Sequence, residues 1–324
     1  MHILDDLNWR GLIKDFSNEN EIRELLSTPQ TIYCGFDPSA VSMHIGNFVM
    51  ISILMRLQQA GHRVIGVVGG ATGMIGDPSG KSKERNLLDD ETLFGNTEGI
   101  RKQLSRFLDL KDPSKGFIVN NYDWLGKMGY LQFLRDYGKY FSVNYMLAKD
   151  VVASRMESGI SYTEFSYMLL QSVDFLTLHR NYGCNIQIGG SDQWGNLTAG
   201  LELIRKLEGA DAKAGVMTAH LITKSDGSKF GKSEEGALYL DPKLTSPYKL
   251  YQYFYNVSDE DAVRYLKVFT FLSHEEINAI VSDHLANPGA RIGQKALAKE
   301  IVKTVHSLED ALDAIQMSEV LFSG

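Results

Sequence analysis

The stretch Thr31-Ile32-Tyr33-Cys34-Gly35, followed by Phe36-Asp37-Pro38-Ser39-Ala40, is a short apolar run that stops at a glycine and turns at a proline. Three further runs have the same form: Arg63 to Gly70, Gly116 to Asn121 and Asn185 to Gly190. Continuous apolar runs of this length, bounded by glycine or small polar residues, fit strands covered on both faces. Between them lie longer segments with helical spacing, such as Phe48 to Ala60 and Tyr130 to Leu147. The alternation predicts an α/β fold built on a doubly wound parallel sheet. Ligands of such sheets bind beyond the carboxyl ends of the strands. Those ends carry Gly35-Phe36-Asp37, Gly69-Gly70-Ala71-Thr72-Gly73, Asn120-Asn121 and Gly189-Gly190-Ser191-Asp192-Gln193, so all four are expected to contribute to one site.

At 324 residues the chain can hold a full α/β core and a second, smaller domain. Its character changes after about residue 218, where a lysine-containing loop precedes segments headed Ser246-Pro247, Ser258-Asp259-Glu260-Asp261 and Ser273-His274-Glu275-Glu276. Each head suits a helix N-terminus, so a sheet domain over 1–220 and a mainly α-helical domain over 221–324 are expected. The 33 basic and 40 acidic side chains leave a net charge of -7, which argues against a broad basic surface for sequence-independent nucleic-acid binding. Only Cys34 and Cys184 occur, giving no disulfide framework and no paired-thiol metal spacing, and pointing to a reducing cytoplasm. Met1-His2-Ile3-Leu4-Asp5-Asp6 has no signal-peptide form, and no segment approaches the roughly 20 apolar residues of a membrane span.

Several motifs carry chemistry. Ser161-Tyr162-Thr163-Glu164 reads as a capping box opening an apolar helix to Leu178, on which Tyr167, Gln171 and Asp174 form one polar stripe. The stripe faces either solvent or a pocket; with apolar residues nearly all round, a pocket wall is the better reading. Gly69 to Ser82 resembles a phosphate-binding loop, but Gly76 and Gly80 are separated by three residues where a P-loop needs four. Its glycines still permit close backbone approach, and Lys81 and Arg85 could meet phosphate charge; the alternative is a glycine-rich connector with solvated lysines. His44-Ile45-Gly46-Asn47 should start the helix after the first strand, where free N–H groups favour an anion, although a lone histidine there is more often structural. Gly46 would let an adenine or ribose lie against the backbone. Lys229-Phe230-Gly231-Lys232-Ser233 places two ammonium groups and a hydroxyl on one loop, suited to stabilising phosphoryl charge, or else forms a solvated hairpin.

Taken in order, Tyr33-Cys34-Gly35-Phe36-Asp37-Pro38, His44-Ile45-Gly46-Asn47, Gly76-Asp77-Pro78-Ser79-Gly80-Lys81, Asn120-Asn121-Tyr122-Asp123-Trp124, Gly189-Gly190-Ser191-Asp192-Gln193-Trp194-Gly195-Asn196 and Lys229-Phe230-Gly231-Lys232-Ser233 resemble the bacterial-type tyrosyl-tRNA synthetases. These are class I aminoacyl-tRNA synthetases, and the resemblance covers essentially the whole chain. It implies a Rossmann-like catalytic domain with a dimer-forming insertion, then the lysine loop and an α-helical domain. It further implies activation of L-tyrosine by ATP and Mg²⁺ to tyrosyl-adenylate and pyrophosphate, followed by transfer to the 3′ end of tRNA(Tyr). Mg²⁺ would come with the nucleotide phosphates, not in a protein cage.

By resemblance, Tyr33 and Asp174 would bond the substrate phenol, while Asp77, Tyr167, Gln171 and Asn121 would hold the amino group. Cys34, Gly35, Asp37, Gly190 and Asp192 would contact the adenosine portion, with Gln193 near the reacting carboxylate. Ser39, His44 and Asn47 would face the phosphates, with Gly46 against the adenine or ribose. Lys81, Arg85, Lys229, Lys232 and Ser233 would stabilise the departing pyrophosphate. A homodimer is implied, with its interface around Trp124 to Tyr145, a segment that composition would equally allow as core. Asn47 replaces the commoner second histidine, and Ser39 stands where threonine is frequent. The chain ends at Gly324 without the small RNA-binding module usual in the family, so intact activation and weak tRNA charging are expected. A tryptophanyl enzyme, an inactive synthetase-like binding module and a P-loop phosphotransferase are the competing readings. Asp174 with Tyr33 argues against the first, Lys229 and Lys232 against the second, and the glycine spacing against the third.

Overall fold

The computed structural model describes residues 1–233 and 236–322, with the side chains of Lys232, Ser233 and Phe322 outside that description. The chain divides into two units by packing. The first comprises residues 1–4, 13–41 and 53–221, and the second residues 5–12, 42–52 and 222–324.

The first unit is built on a six-stranded sheet: β1 (Ile13–Phe16), β2 (Thr31–Phe36), β3 (Arg63–Val68), β4 (Gly116–Asn120), β5 (Cys184–Gly190) and β6 (Gly215–Ala219). Its order is β1-β6-β5-β2-β3-β4, with β1 antiparallel to β6 and all other neighbours parallel. The four predicted strands lie within about two residues of their expected bounds. Two strands escaped prediction. β6 is only Gly-Val-Met-Thr-Ala and wholly buried, so nothing alternates, whereas β1, Ile-Lys-Asp-Phe, is a partly polar edge strand.

The core lies over this sheet and under the helices Tyr162–Tyr182 and Trp194–Glu208, with Ile65, Val67, Val173, Phe175, Leu197 and Leu201 in one buried cluster. Each such side chain contributes roughly 1.5–3 kcal/mol on leaving water. The Tyr162–Tyr182 helix ends where Gly183 takes φ 63°, a left-handed cap that disfavours a side chain. Its N-terminus departs from the expected capping box. Ser161 accepts the Glu164 N–H, but the Glu164 carboxylate does not reach back; it is buried against Arg155 at 2.9 Å and accepts the Arg85 N–H at 3.2 Å. The Tyr130 to Leu147 segment likewise does not form one helix. It breaks into Tyr130–Asp136, a 3₁₀ turn Gly138–Tyr140 and Val143–Leu147, because Gly138 interrupts the first and Ser142 caps the last through the Tyr145 N–H.

The second unit is mainly helical: Pro247–Tyr255, Asp259–Phe269, His274–Ala286, Ile292–Val305 and Leu308–Phe322. Ser246, Ser258 and Ser273 cap the first three as their heads predict, and Ser273 with Glu276 forms a complete capping box. Residues 5–12 belong here because the buried Arg10 guanidinium donates to the carbonyls of Lys267, Thr270 and Leu272 at 3.2, 3.1 and 2.8 Å. Residues 42–52 belong here through backbone bonds: Leu240 N–H to Met43 O and Ile45 N–H to Leu238 O, both 2.8 Å.

Arg155 and Glu164 are 3% and 1% exposed, so deleting one charge strands the other in the core. Glu164→Ala is expected to lower unfolding stability by about 3–5 kcal/mol, read as a fall in the urea midpoint at unchanged slope.

Candidate functional site

Strand order reverses between β2 and β5, with β3 and β4 on one side and β6 and β1 on the other. Beside this reversal, at the carboxyl ends of β2, β3 and β4, the first unit gathers a continuous polar network inside an apolar surround. Asp174 is buried, 4% exposed. Its Oδ1 accepts the Trp124 indole N–H at 2.8 Å, and its Oδ2 accepts the Asn121 amide at 3.0 Å. The same Asn121 amide donates to Thr72 Oγ1 at 3.0 Å, and Thr72 donates to Asp37 Oδ1 at 2.6 Å. Asp37 Oδ2 accepts the Tyr167 hydroxyl at 2.6 Å. Tyr167 and Asp174 lie seven residues apart on one helix, so the chain of bonds closes on itself. The polar stripe is therefore a buried wall, as its apolar neighbours predict.

Burial dominates the electrostatics. It pushes the Asp174 carboxyl up to about 7, against the pull of Asn121 and Trp124, and the Asp37 carboxyl up to about 6, against Thr72 and Tyr167. The Tyr33 hydroxyl is raised well above its ordinary value, by burial first and by the Asp174 charge second. Both donors to Asp174 are N–H groups with nothing to accept at those atoms, which favours its ionised form.

Two atoms of the expected amino-acid site stand without a hydrogen-bond partner: the Tyr33 hydroxyl, 1% exposed, and Gln171 Oε1. Gln187 Oε1, on β5 opposite Tyr33, is a third. Unsatisfied buried polar atoms are costly unless a ligand or water completes them. Asp77 faces the same network from the loop after β3. Its Oδ2 accepts from Gln193 at 2.6 Å, and its Oδ1 accepts from the Ser79 N–H at 2.9 Å and from Asn196 at 3.4 Å. Cys34 is buried with its thiol directed at the Gly35 carbonyl, 3.7 Å away, and burial pushes that thiol up to about 12. Gly35 is exposed and has open space where a side chain would stand. Ser39 is exposed beyond Pro38.

In the glycine-rich loop, a Cβ at Gly69 would lie 2.0 Å from Asp37 Oδ1, and one at Gly70 would lie 2.3 Å from Asn120 Oδ1. These two glycines make room for the chain's own polar side chains. Lys81 is exposed, and Arg85 Nε donates to the Asp77 carbonyl at 3.1 Å. Both charges act on Asp192, whose carboxyl is raised by burial and by Asp77 and lowered by Lys81 and Arg85. Gly190 precedes Asp192 so closely that a Cβ would meet its Oδ1 at 2.7 Å.

The second unit holds the other motifs. His44 immediately precedes the Ile45–Gln59 helix, as predicted, but the N–H groups there are engaged. Ile45 N–H bonds Leu238 O, Gly46 N–H bonds His44 Nδ1 at 3.1 Å, and Asn47 Oδ1 accepts the His44 N–H at 3.0 Å. Gly46 leaves room for the His44 ring, since a Cβ would lie 2.9 Å from its Cε1. Gly231, at φ 76°, passes over Ile45, where a Cβ would meet Cγ2 at 2.9 Å, so the histidine and lysine motifs are neighbours within this unit. Lys229 is exposed; the side chains of Lys232 and Ser233 lie outside the described residues. Sequence reasoning missed Thr72, Trp124 and Asn196 as site residues. Trp124 stands in a motif it singled out, but only the tertiary contact shows its indole on Asp174.

The sequence matches the family described as tRNA synthetases class I (W and Y) over residues 26–323. It is 55% identical over 326 aligned positions to a tyrosine–tRNA ligase of Bacillus caldotenax, spanning all of this chain and 78% of that protein. A tyrosine–tRNA ligase of Geobacillus stearothermophilus is 54% identical over the same coverage. A C-terminally truncated mitochondrial tyrosyl-tRNA synthetase of Aspergillus nidulans superposes with a TM-score of 0.89 at 31% identity, covering 99% of this chain and 94% of that one. A tryptophan-bound tryptophanyl-tRNA synthetase of Encephalitozoon cuniculi, at 16% identity and a TM-score of 0.70, shares the fold over 96% of this chain and 87% of its own. The chain belongs to the class I tRNA synthetase family, within its tyrosyl branch.

Proposed function

We propose that the chain is a tyrosine–tRNA ligase, activating L-tyrosine with ATP to tyrosyl-adenylate and pyrophosphate and passing the tyrosyl group to the 3′ end of tRNA(Tyr). The observation that carries the choice of amino acid is the pairing of Asp174, oriented by Asn121 and Trp124, with the buried and unpartnered Tyr33 hydroxyl. A phenol completes both groups; an indole N–H or a phenyl ring leaves at least one unpaired. A site built to bond a hydroxyl rejects the analogue lacking it by about 10⁴–10⁵-fold, a range for which tyrosyl-tRNA synthetases are themselves a reference case.

Asp77, Tyr167 and Gln171 hold the substrate ammonium in this reading. Asn121 does not join them, because its amide is committed to Asp174, Thr72 and the Ala71 N–H; it orients Asp174 instead. Gln193 lies against Asp77 and serves the reacting carboxylate. Cys34, Gly35, Asp37, Gly190 and Asp192 take the adenosine portion. The tyrosine carboxylate attacks the α-phosphate in line, and the α–β phosphoanhydride bond breaks. Ser39, His44 and Asn47 meet the phosphates, with Gly46 against the adenine or ribose, while Lys81, Arg85, Lys229, Lys232 and Ser233 stabilise the leaving pyrophosphate. Rate is gained by binding the charge that develops in the transition state. A ribose hydroxyl of the tRNA end then attacks the adenylate carbonyl and AMP departs.

Among the described residues no group of three or more His, Cys, Asp or Glu side chains is placed to form a metal cage. Mg²⁺ accompanies the ATP phosphates, and no step is routed through it. The protein acts in the cytoplasm, where its two buried thiols stay reduced. Among the described residues no helix is long and apolar enough to cross a membrane. A homodimer is favoured by exposed Tyr130 and Tyr162, which interact with each other, and by Leu131, 78% exposed beside Tyr130.

Pyrophosphate exchange is expected with tyrosine but neither phenylalanine nor tryptophan, and its loss in Lys232→Ala ties the activity to the lysine loop; exchange with no amino acid defeats the reading. Tyrosine affinity is expected to rise as pH rises through about 7, because ionised Asp174 accepts the phenol more strongly than the neutral acid does. Asp174→Asn should bind weakly with little pH dependence, measured by equilibrium dialysis. The sign for stability is opposite: the folded-state pKa lies above the unfolded value, so this carboxyl favours folding most below about pH 4, and the contribution fades as pH rises toward 7. Leu131→Asp should shift the chain from dimer to monomer in light scattering.

A further inference from the structure

We propose that Asp261 and Tyr253 are positioning residues that fix the backbone carrying Lys229 and Lys232, an inference that rests on the activation reading above. The lysine loop is gripped at both ends by two helices of the second unit, Pro247–Tyr255 and Asp259–Phe269. At its entrance the Asp261 carboxylate, 3% exposed, takes the Ser225 N–H on both oxygens at 3.0 and 3.2 Å and the Ser225 hydroxyl at 3.2 Å. Arg264 donates to Asp261 at 2.8 Å and also to the Thr223 carbonyl, which receives the Tyr265 hydroxyl at 2.9 Å as well. At its exit the Gly231 N–H donates to the Tyr253 hydroxyl at 2.9 Å. Between these points Phe230 is set among four rings, stacked on Phe269 at 5.1 Å and edge-on to Tyr265 at 5.2 Å.

The stretch in between closes on itself. Thr223 pairs with Lys229, Lys224 N–H bonds Ser228 O at 3.1 Å, and Gly227 turns the tip at φ 79°. Residues 225–229 are exposed, while Phe230 and Gly231 at the exit are half-buried and buried. A cavity of about 630 Å³ borders the entrance, lined among others by Lys224, Asp226, Tyr253 and Asp261. Packing therefore does not hold Ser225 on that side; the carboxylate latch does. A loop that must put ammonium charge where phosphate charge develops gains from such anchoring, since misplacement by about 1 Å can cost about 100-fold in rate.

The test uses the whole chain with Asp261→Ala, Asp261→Asn, Tyr253→Phe and, as a control on the same helix, the exposed Glu260→Ala. Tyrosyl-adenylate formation is followed in single turnover at saturating tyrosine and ATP, beside the tyrosine Kd and the thermal midpoint. Asp261→Ala is expected to slow adenylate formation about 10- to 100-fold with the tyrosine Kd within about twofold. Asp261→Asn should recover part of the rate, because its carbonyl still accepts the Ser225 N–H; Tyr253→Phe should lose several-fold, and Glu260→Ala nothing. Adenylate formation within twofold of the parent in both Asp261→Asn and Tyr253→Phe overturns the proposal even if Asp261→Ala fails to fold. So does a parallel loss of rate, tyrosine affinity and thermal midpoint, which marks a merely structural role. A parent chain that forms no adenylate removes the activation reading itself, and this inference with it, before any variant is compared.

Discussion

A carboxyl group buried inside an apolar core is the constraint around which the first unit is arranged. Asp174 sits on a helix packed between sheet and neighbouring helix, where burial, with a smaller push from the Asp37 charge, drives its carboxyl up to about 7. Holding it as an acceptor there takes dedicated donors, and they come from the end of the fourth strand: Asn121 from the turn after β4 and Trp124 from the short helix that follows. Asn121 in turn fixes the loop after β3 through the Ala71 N–H and Thr72, and Thr72 fixes Asp37 after β2. One buried carboxyl group thus binds together the carboxyl ends of three parallel strands. The atoms left over, on Tyr33, Gln171 and Gln187, stand buried without a hydrogen-bond partner.

The second unit solves a different problem with the same means. Its lysines must be exposed to meet a ligand, and exposed lysine loops are ordinarily loose. Here the exposed turn has its two ends bound to helices by a buried carboxylate, a tyrosine hydroxyl and a phenylalanine among aromatic rings. The glycine at position 231 lies over Ile45 and brings the histidine motif alongside that anchored backbone. Chemistry that depends on placing charge, with no nucleophile of the protein's own, requires this kind of rigidity near its cations.

Glycine illustrates how a motif can serve the fold from within. Gly69 and Gly70 permit close approach, yet what approaches is Asp37 and Asn120, so the loop shapes the polar network from within. Glu164 is similar. Its position three residues after Ser161 suggests a cap, but the buried Arg155 competes for its carboxylate with a full charge and wins.

What the sequence by itself determined is local and periodic: four of the six strands, the serine caps of the C-terminal helices, the polar stripe of Tyr167, Gln171 and Asp174, and the ordered motifs that announced the family. These follow from side-chain period, backbone preference and capping chemistry, which act over a few residues. Only the tertiary structure decided that Trp124 donates to Asp174 across 50 positions, that Asn121 orients a carboxylate, and that residues 5–12 and 42–52 belong to the unit of the C-terminal helices. It also decided the fates of β1 and β6, whose short lengths carry too little pattern to be read before their neighbours are known. The reason is the same in each case: a buried polar or charged group takes whichever partner desolvation leaves nearest, and that partner is chosen by the packing of the whole core.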